Sequence, residues 1–537
     1  MAAYWSVIEM MIAVEMLRAG ARRPHAEFGK RVSCFGLGHD ALAKFGMKAA
    51  VRLLSTSRLR STYITRAART ATAFLLLAAM PAVSQTIAIT GGTAIDGTGR
   101  VPIQDAVILI RGGRIAALGS AREVTIPESA RRIDATGKFL IPGLMDANLH
   151  LYLNGDLESL IKYEDRYHEI ALEGSQIALR SGMTTVFDTW GPRAALIKAR
   201  DLIASGRVPG SRIYLAGNII GFSGPLAPDF RATAAPFVSK AFAKRINETW
   251  EQGTGRDLLW MPPDSLRAAI RLYSASGVDF LKYGSSGHVD MNFIAFSERA
   301  QKVIVEEGHR AGKTVQAHVT SPESIDMAID AGVDILTHGD ISGPRYPIPP
   351  ETIRKMLDRG ISVSVLAITS RQLEALQKNS PNGVLTPYMK IAAVNIRNMV
   401  KAGVPLLVST DAGIQNPVLL AESLTLATDT IDARVKLGEG HFNALVALEE
   451  AGMAPMEILK SATSNIARAY KVDRDLGTLE PGKIADLVML DANPLESARN
   501  YRRINAVIKD GQIIDLAKLP VAPIISALKV VPLKMVP

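Results

Sequence analysis

The pattern of hydrophobic and polar positions changes twice along the chain. From Thr86 to about Ile141, short apolar runs alternate with tight-turn signals such as Gly91-Gly92. Strand-length runs bounded by such turns are typical of antiparallel sheet. After Pro142-Gly143, apolar runs alternate with helical stretches, which indicates parallel βα units. From Gly477 onwards the pattern is that of β structure again.

Eight apolar runs in the middle segment are candidate parallel strands. They end near His150, Asp188, Gly217, Tyr283, His318, His338, Leu366 and Asp411. Eight strands alternating with helices are the number that closes a (β/α)8 barrel. Because both ends of the chain have a β pattern, we expect them to pair. The predicted fold is therefore α/β: a TIM-like (β/α)8 barrel with a small flanking β-sandwich formed by the N- and C-terminal segments.

These patterns divide the chain into four segments. They are a leader with a signal peptide (1–84), the N-terminal part of the β-sandwich (85–142), the (β/α)8 barrel (143–475), and the C-terminal part of the sandwich plus a tail (476–537). The tail from Leu519 is apolar but interrupted by prolines, and its sequence gives no functional indication. The long connection from Asn218 to Pro263 is expected to shape a substrate pocket, although a surface insertion would give the same pattern.

The leader has the features of an export signal. Arginines precede the apolar run Ala71–Met80, and Ala82-Val83-Ser84 supplies the small residues of a cleavage site. The run is too short for an ordinary transmembrane helix, although an N-terminal anchor or a buried helix is the alternative. Met47 opens a basic stretch without acidic residues, so we expect translation to start there. N-terminal sequencing of the cellular protein tests this expectation.

Charge and cysteine content narrow the class of protein. The chain has 62 basic and 52 acidic residues, and residues 1–84 hold 12 of the basic and 4 of the acidic ones. The rest of the chain therefore has 50 basic and 48 acidic residues, a net charge of +2. The positive charge of the whole chain is therefore no argument for a nucleic-acid partner, because most of it lies in the leader. The single cysteine, Cys34, excludes a disulfide framework and a thiolate metal site. We expect a periplasmic or secreted protein with a small-molecule substrate and no membrane contact after signal cleavage, and the sequence leaves a homo-oligomer open.

Polar side chains with metal-binding chemistry follow several predicted strands. Asn148 and His150 are two residues apart, so both point to one face of a strand. Further groups at strand ends are Lys282, His318, His338 and Asp411. In a barrel these ends converge on the face where active sites lie. A single histidine after a strand is more often structural, but the whole set predicts a site for zinc or a similar divalent ion.

Lys282 requires a separate explanation, because an ammonium group has no lone pair for a metal. A lysine that reacts with carbon dioxide becomes a carbamate, whose two oxygens are able to bridge two cations. Burial makes the ammonium proton easier to lose, which favours that reaction. A carboxylated Lys282 would therefore fit between two divalent metal ions.

With these residues the chain resembles the metal-dependent amidohydrolase superfamily. The resemblance covers about residues 86–515 and includes Pro142-Gly-Leu-Met-Asp146 and Leu479-Glu-Pro-Gly-Lys-Ile-Ala-Asp-Leu-Val488. It implies two bound metal ions. In the implied arrangement, the more buried metal is held by His150 and Asp411, carboxylated Lys282 bridges both, and the second is held by His318 and His338.

One position departs from the superfamily pattern. The usual first-strand motif is His-x-His, and this chain has Asn148-Leu-His150. That motif is similar to the branch of phenylurea hydrolase and molinate hydrolase, which implies that the Asn148 amide oxygen replaces an imidazole nitrogen. The alternative is a degraded, inactive site.

The resemblance implies metal-dependent hydrolysis of non-peptide C–N bonds in amide, urea or carbamate substrates. Two cations lower the pKa of a bridging water, which supplies hydroxide to attack the carbonyl. Lys282 and Asp411 are the expected catalytic residues, with Asp411 as the proton shuttle. The candidate substrate-binding residues are His288, Trp190, Asn218 and Tyr152.

Two other functions stay open at this point. A dipeptidase of the Xaa-Pro type would need a fixed cation for the substrate carboxylate, and Arg231, Arg245 and Arg256 in the long connection are the candidates. A non-catalytic barrel that binds a ligand is the second alternative. Metal analysis and a hydrolysis screen distinguish the three.

Overall fold

The computed structural model describes residues 86–152, 157–230, 235–288, 290–379, 385–414 and 436–528. All of them lie in the compact unit Ser84–Pro537. The predicted leader, signal peptide and translation start lie outside the described residues. Within the described ranges, no helix combines the length and the apolar character needed to span a membrane.

Strands from both ends of the described chain form one eight-stranded sheet. They are β1 Ile87–Ala94, β2 Ile103–Arg111, β3 Arg114–Ser120, β4 Arg131–Asp134 and β5 Phe139–Pro142, with β14 Leu487–Leu490, β15 Ile504–Lys509 and β16 Gln512–Ile513 from the C-terminal part. The strand order is β16-β15-β14-β5-β1-β2-β3, and β4 pairs with β1. The expected pairing of the two ends is made by β14, which lies antiparallel to β5, the strand that leads into the site.

Eight parallel strands lie between those two groups. A three-stranded sheet contains β6 Leu144–Leu149, β7 Met183–Asp188 and β8 Arg212–Leu215. A five-stranded sheet contains β9 Leu281–Gly284, β10 Val315–His318, β11 Ile335–Thr337, β12 Ser362–Val365 and β13 Leu406–Val408. Main-chain hydrogen bonds run between the two sheets at both edges. Ile220 N donates to Lys282 O (2.8 Å), and Asp411 N donates to Asn148 O (2.9 Å). Every predicted strand is present, close to its predicted end.

Helices follow most of these strands. The described helices are α1 Leu157–Lys162, α2 Tyr167–Arg180, α3 Arg193–Ala204, α4 Lys240–Glu251, α5 Pro263–Ser274, α6 Glu298–Arg310, α7 Pro322–Ala331, α8 Pro350–Asp358, α9 Ser370–Asn379, α10 Leu385–Ala402, α11 Glu439–Glu450, α12 Pro455–Ser461 and α13 Ser464–Ala469. The limits of α7 follow from its sequence. Ser321 and Ser324 form a capping box at its N-terminus, and Gly332 ends it with a φ of 86°.

The helical stretch before the C-terminal strands is divided into two helices, α12 and α13. Thr463 separates them with a φ of −145° and a ψ of −93°, outside the helical region. Its hydroxyl donates to the carbonyl of Leu459 at 2.6 Å. A threonine that bonds locally to the main chain in this way competes with helix continuation, which explains the break.

Part of the long connection packs into a buried set of aromatic rings. Tyr152, Tyr167, Trp190 and Trp250 belong to one buried cluster, which we call the aromatic cluster. The ring centroids of Tyr152 and Trp250 are 5.4 Å apart, and those of Tyr167 and Trp250 are 5.2 Å apart. Trp250 comes from α4 in the connection, so this part of the insertion is integrated into the core.

Candidate active site

The end of β6 brings three predicted site residues together. Asn148 Nδ2 donates to Asp411 Oδ1 at 3.0 Å, and His150 Nε2 lies 2.9 Å from the same oxygen. Asp146, two residues earlier on the strand, accepts from the Thr410 hydroxyl at 2.7 Å. This bond attaches β6 to the segment that carries Asp411, so both the strand and its polar end are held in register.

Lys282 lies on the other side of Asn148. Its Nζ donates to Asn148 Oδ1 at 3.0 Å and to Thr189 Oγ1 at 3.1 Å. Thr189 follows directly after β7, and its hydroxyl donates to the same Asn148 oxygen. We call Asn148, Thr189 and Lys282 the amide side of the site. Lys282 is 1 % exposed, so its amine is removed from solvent.

His318 and His338 form the opposite part of the site, which we call the imidazole side. Their ring centroids are 5.0 Å apart, and His338 Nε2 lies 4.0 Å from Asp411 Oδ1. Among the described residues, neither His318 Nδ1, His318 Nε2 nor His338 Nδ1 has a hydrogen-bond partner. Buried polar atoms without partners are uncommon, and a ligand atom would explain them.

Two of the site residues have strained backbone. His338 has a φ of 60° and Asp411 a φ of 55°, both in the left-handed region that non-glycine residues rarely occupy. Each follows the end of a parallel strand, β11 or β13. Such conformations persist where the surroundings hold them, and they concentrate at functional sites. These two residues also face each other, with His338 Nε2 4.0 Å from Asp411 Oδ1.

The environment of the lysine favours its neutral form. Burial lowers the pKa of Lys282 to about 8, although the charges of Asp411 and Asp188 oppose this shift. Burial also raises the pKa of Asp188 to about 8, against the hydrogen bonds from the Leu151 and Trp190 amides. A neutral amine is the form that reacts with carbon dioxide, so the amide side suits a carbamate.

Asp411, His318 and His338 are held in the protonation states that metal binding requires. Burial acts to raise the pKa of Asp411, but nearby His338 and the bond from His150 outweigh it and hold the pKa well below its usual value. Burial lowers the pKa of His338 to about 3 and that of His318 well below its usual value. Neutral imidazoles and an ionised carboxylate are the forms that bind cations.

Most of the chain matches one known protein family. The amidohydrolase family matches residues 139–514, which include both sides of the site and β14. This chain belongs to the amidohydrolase family. Membership gives the chain a TIM-barrel-type α/β fold and makes it an enzyme, an amidohydrolase, as the sequence predicts.

Individual relatives of this amidohydrolase agree with the predicted branch. A solved molinate hydrolase shares 37 % identity, covers 83 % of this chain and 97 % of its own, and superposes with a TM-score of 0.78. Phenylurea hydrolase B shares 33 % identity over 82 % of this chain and 100 % of its own, with a TM-score of 0.77. The ochratoxinase of Aspergillus niger is 28 % identical over 78 % of this chain and 84 % of its own.

Amidohydrolases typically use divalent metals, and the side chains here fit such ions. Within the described ranges, no three His, Cys, Asp or Glu side chains already surround one point as a ready-made cation site. Asp411 is instead engaged with Asn148 and His150. The unpartnered nitrogens of His318 and His338 and the carboxylate of Asp411 are nevertheless the donor types that zinc and similar ions take.

The four predicted substrate-binding residues lie in two places. His288 lines a cavity of about 290 Å³ with Phe222, Arg256 and Phe293, and its ring is 5.5 Å from that of His318. Trp190, Asn218 and Tyr152 are buried. Trp190 Nε1 donates to Asn218 Oδ1 at 3.2 Å, and the Trp190 ring meets His150 edge to face at 6.0 Å. Their roles in substrate binding stay predictions.

Sequence reasoning missed two residues at the end of β7. Thr189 contacts both Asn148 and Lys282, and Asp188 accepts from the main-chain N–H of Leu151, next to His150, at 2.8 Å. The sequence feature that could have identified them is their position, because both lie at the end of a strand that faces the same site as His150. A hydroxyl and a helix-preceding aspartate carry no further mark of function in the sequence.

Proposed function

We propose that this amidohydrolase cleaves the C–N bond of small urea, carbamate, thiocarbamate or amide substrates. The observation that carries the proposal is the Asn148-Leu-His150 pair, whose amide oxygen is held by Lys282 and Thr189 opposite two imidazoles with free nitrogens. Relatives above 30 % identity are a molinate hydrolase and a phenylurea hydrolase. The second name refers to a urea, in which a carbonyl is bonded to nitrogen.

We propose that the site residues hold two divalent ions, with zinc as the first candidate. His150, Asp411 and the Asn148 amide oxygen would hold the more buried ion, and His318 and His338 the second, with a carboxylated Lys282 between them. When bound, such ions supply a water that ionises near neutral pH. The free lone pairs of the imidazole side and the buried, easily deprotonated Lys282 support this assignment.

Asp411 is proposed as the proton shuttle. Its Oδ1 lies 2.9 Å from His150 Nε2 and 4.0 Å from His338 Nε2, and its carboxylate is ionised, which is the form that accepts a proton. It would take the proton of the attacking water and transfer it to the departing nitrogen. The substrate itself would enter by the cavity at His288, where Phe222 and Phe293 offer apolar surface.

The dipeptidase alternative depends on a free cation near that cavity. Arg245 is engaged by Glu164 through two hydrogen bonds of 2.6 and 3.2 Å, which removes it from consideration. Arg256 borders the cavity and lies 3.5 Å from Asp229. Arg231 lies outside the described residues. Arg256→Ala therefore tests this alternative: loss of activity on dipeptides, with ureas unaffected, would favour it.

Two finer features complete the proposal. We propose that the three- and five-stranded parallel sheets form one closed barrel beside a β-sandwich, supported by the main-chain bonds at both sheet edges. We also propose export to the periplasm or the medium, supported by the arginines and the apolar run of the leader. Cell fractionation with a tagged chain tests export: retention in the cytosol would contradict it.

The deciding experiment joins metal analysis to a hydrolysis screen. Purified protein, the chelated form and the chelated form restored with zinc and bicarbonate are each tested on N-aryl ureas, thiocarbamates, anilides and Xaa-Pro dipeptides. We expect turnover of at least one of the first three classes, lost on chelation and regained on restoration. A metal-replete protein that hydrolyses none of the classes, or whose Lys282→Ala variant keeps full activity, would overturn the proposal.

A further inference from the structure

The C-terminal segment 519–528 runs along helix α2, and side chains of α2 bind its main chain. Arg180 donates to the carbonyl of Leu519 at 3.1 Å, and Gln176 Oε1 accepts from the Val521 N–H at 2.7 Å. Together with Glu173, these side chains are spaced three and four residues apart, which places them on one face of the helix. The helix therefore carries a polar stripe whose partner is a segment of the same chain.

Glu173 makes the most extensive of these contacts. Its carboxylate accepts from the main-chain N–H groups of Ile524 (3.0 Å), Ile525 (2.8 Å) and Ser526 (2.9 Å), and from the Ser526 hydroxyl. Glu173 is only 1 % exposed. A buried carboxylate is tolerated when hydrogen-bond donors surround it, and here all four donors belong to the segment. A glutamine would present N–H donors to these N–H groups and would lose part of the set.

A neighbouring side of α2 packs against main chain next to the site. A Cβ on Gly174 would lie 2.9 Å from the carbonyl oxygen of Leu151, the residue after His150, so the helix backbone packs directly on the end of β6. Tyr167, at the start of α2, belongs to the aromatic cluster. The helix thus connects the segment held by Glu173 with the main chain that positions His150.

Ile525 gives a second connection between the segment and the site. Its side chain is fully buried and belongs to the same hydrophobic cluster as Tyr152, Trp190 and Trp250. Trp190 in turn meets His150 edge to face at 6.0 Å. The segment therefore contributes a fully buried side chain to the cluster that contains Trp190, the ring that packs against a predicted metal ligand.

We propose that segment 519–528 is a structural part of the active site and that Glu173 is the positioning residue that holds it there. Binding of the segment fixes Ile525 in the aromatic cluster, which supports Trp190 and, through it, the orientation of His150. The expected changes in KM and kcat rest on the proposed function. The structural part of the inference concerns the segment, Trp190 and zinc binding, which are measurable without a substrate.

The test compares Glu173→Gln and Ile525→Ala with two controls. Glu169→Gln removes a carboxylate from the same helix whose partner is Arg166, and Ile513→Ala truncates an exposed isoleucine of β16. We expect cleavage of the segment by a non-specific protease to be roughly tenfold faster or more in Glu173→Gln, since bonds to a buried charge are lost. Both test variants should shift tryptophan emission and weaken zinc binding several-fold, with KM raised more than kcat is lowered. The controls should match the wild type.

The outcomes separate the possible failures. If the segment becomes cleavable in Glu173→Gln while tryptophan emission, zinc affinity and kinetics stay at wild-type values, the inference is overturned. If Glu173→Gln does not yield folded protein, Ile525→Ala carries the same test with the hydrogen bonds intact, and wild-type emission and zinc affinity there would equally overturn it. If the wild type hydrolyses no substrate, the proposed function fails, whereas emission and zinc affinity still decide this inference.

Discussion

The amide side and the imidazole side of the site satisfy their polar atoms in opposite ways. On the amide side, the Asn148 oxygen accepts from Lys282 and Thr189, and its nitrogen donates to Asp411. On the imidazole side, three ring nitrogens of His318 and His338 have no hydrogen-bond partner in the part of the chain that the structure describes. One side is fixed by bonds within the protein, and the other keeps its lone pairs free.

This difference assigns different tasks to the two sides. A buried polar atom without a partner costs on the order of 1–3 kcal/mol, so the imidazole side carries a stability cost that a bound ion would relieve. The amide side carries no such cost, because the oxygen and nitrogen of the Asn148 amide already have hydrogen-bond partners within the protein. Its geometry is therefore set before any ligand binds. We therefore expect metal affinity to depend mainly on the imidazole side. The orientation of the reacting groups should depend mainly on the amide side.

The largest expected effect comes from the residue between the two sides. Asp411→Asn should lower kcat by about 10²–10⁴-fold, the range for loss of a general acid or base, while much of the metal stays bound. Steady-state kinetics and metal analysis of the same preparation measure both. Wild-type turnover in this variant would mean that another group moves the proton.

A comparison of one residue from each side tests the division directly. His318→Ala should reduce zinc affinity by roughly 100-fold or more, because a direct ligand should matter at least as much as the partners that orient ligands. Asn148→Ala should reduce the affinity less and lower kcat more. Competition with a chromophoric chelator gives the affinities. An equal loss of affinity in both variants would remove the distinction between the two sides.

Thr189→Val should give a smaller effect confined to the amide side. The variant keeps the shape of the side chain but removes the hydroxyl that contacts Asn148 and Lys282. We expect roughly 10–100-fold lower activity, typical of losing a residue that orients a ligand, and recovery in Thr189→Ser. Thr184→Val is the matched control, since Thr184 lies on β7, the strand that Thr189 follows, and its buried hydroxyl has no partner among the described residues. Equal behaviour of the two valine variants would contradict this role.

The smallest and most gradual effect is the pH dependence of reactivation. The pKa of Lys282 is lowered to about 8, so the neutral amine that reacts with carbon dioxide dominates only above that pH. Chelated protein restored with zinc at a constant concentration of dissolved carbon dioxide should regain activity about tenfold more slowly for each pH unit below 8, and at a constant rate above it. A rate that is flat between pH 6 and 8 would show that the amine does not limit reactivation.

Most of the scaffold was predictable because parallel strands bury both faces and leave continuous apolar runs in the sequence. The same logic located His318, His338 and Asp411, since polar groups directly after such runs converge on one face. The positive φ values of His338 and Asp411 were not predictable, because they depend on tertiary contacts. Thr189 was missed because a hydroxyl after a strand is common and its partners lie in distant segments.

Glu173 shows a different limit of sequence reasoning. Within α2 it resembles any charged residue on an amphipathic helix, whose usual place is a solvated surface. Its burial depends on a segment more than 300 residues later, since the bonds span 351 to 353 positions. Contacts between such distant segments leave no local pattern in a single sequence.

The pairing of β14 with β5 has a consequence for how the enzyme is made. Residues 139–142 lead directly into the strand of Asn148 and His150, yet their neighbour in the sheet is Leu487–Leu490. A ribosome must therefore complete almost the whole chain before this strand finds its second partner. Loop closure over such a distance is slow, so the half-made enzyme exposes apolar strands for most of its synthesis. Chaperone capture of the nascent chain is expected until β14 emerges.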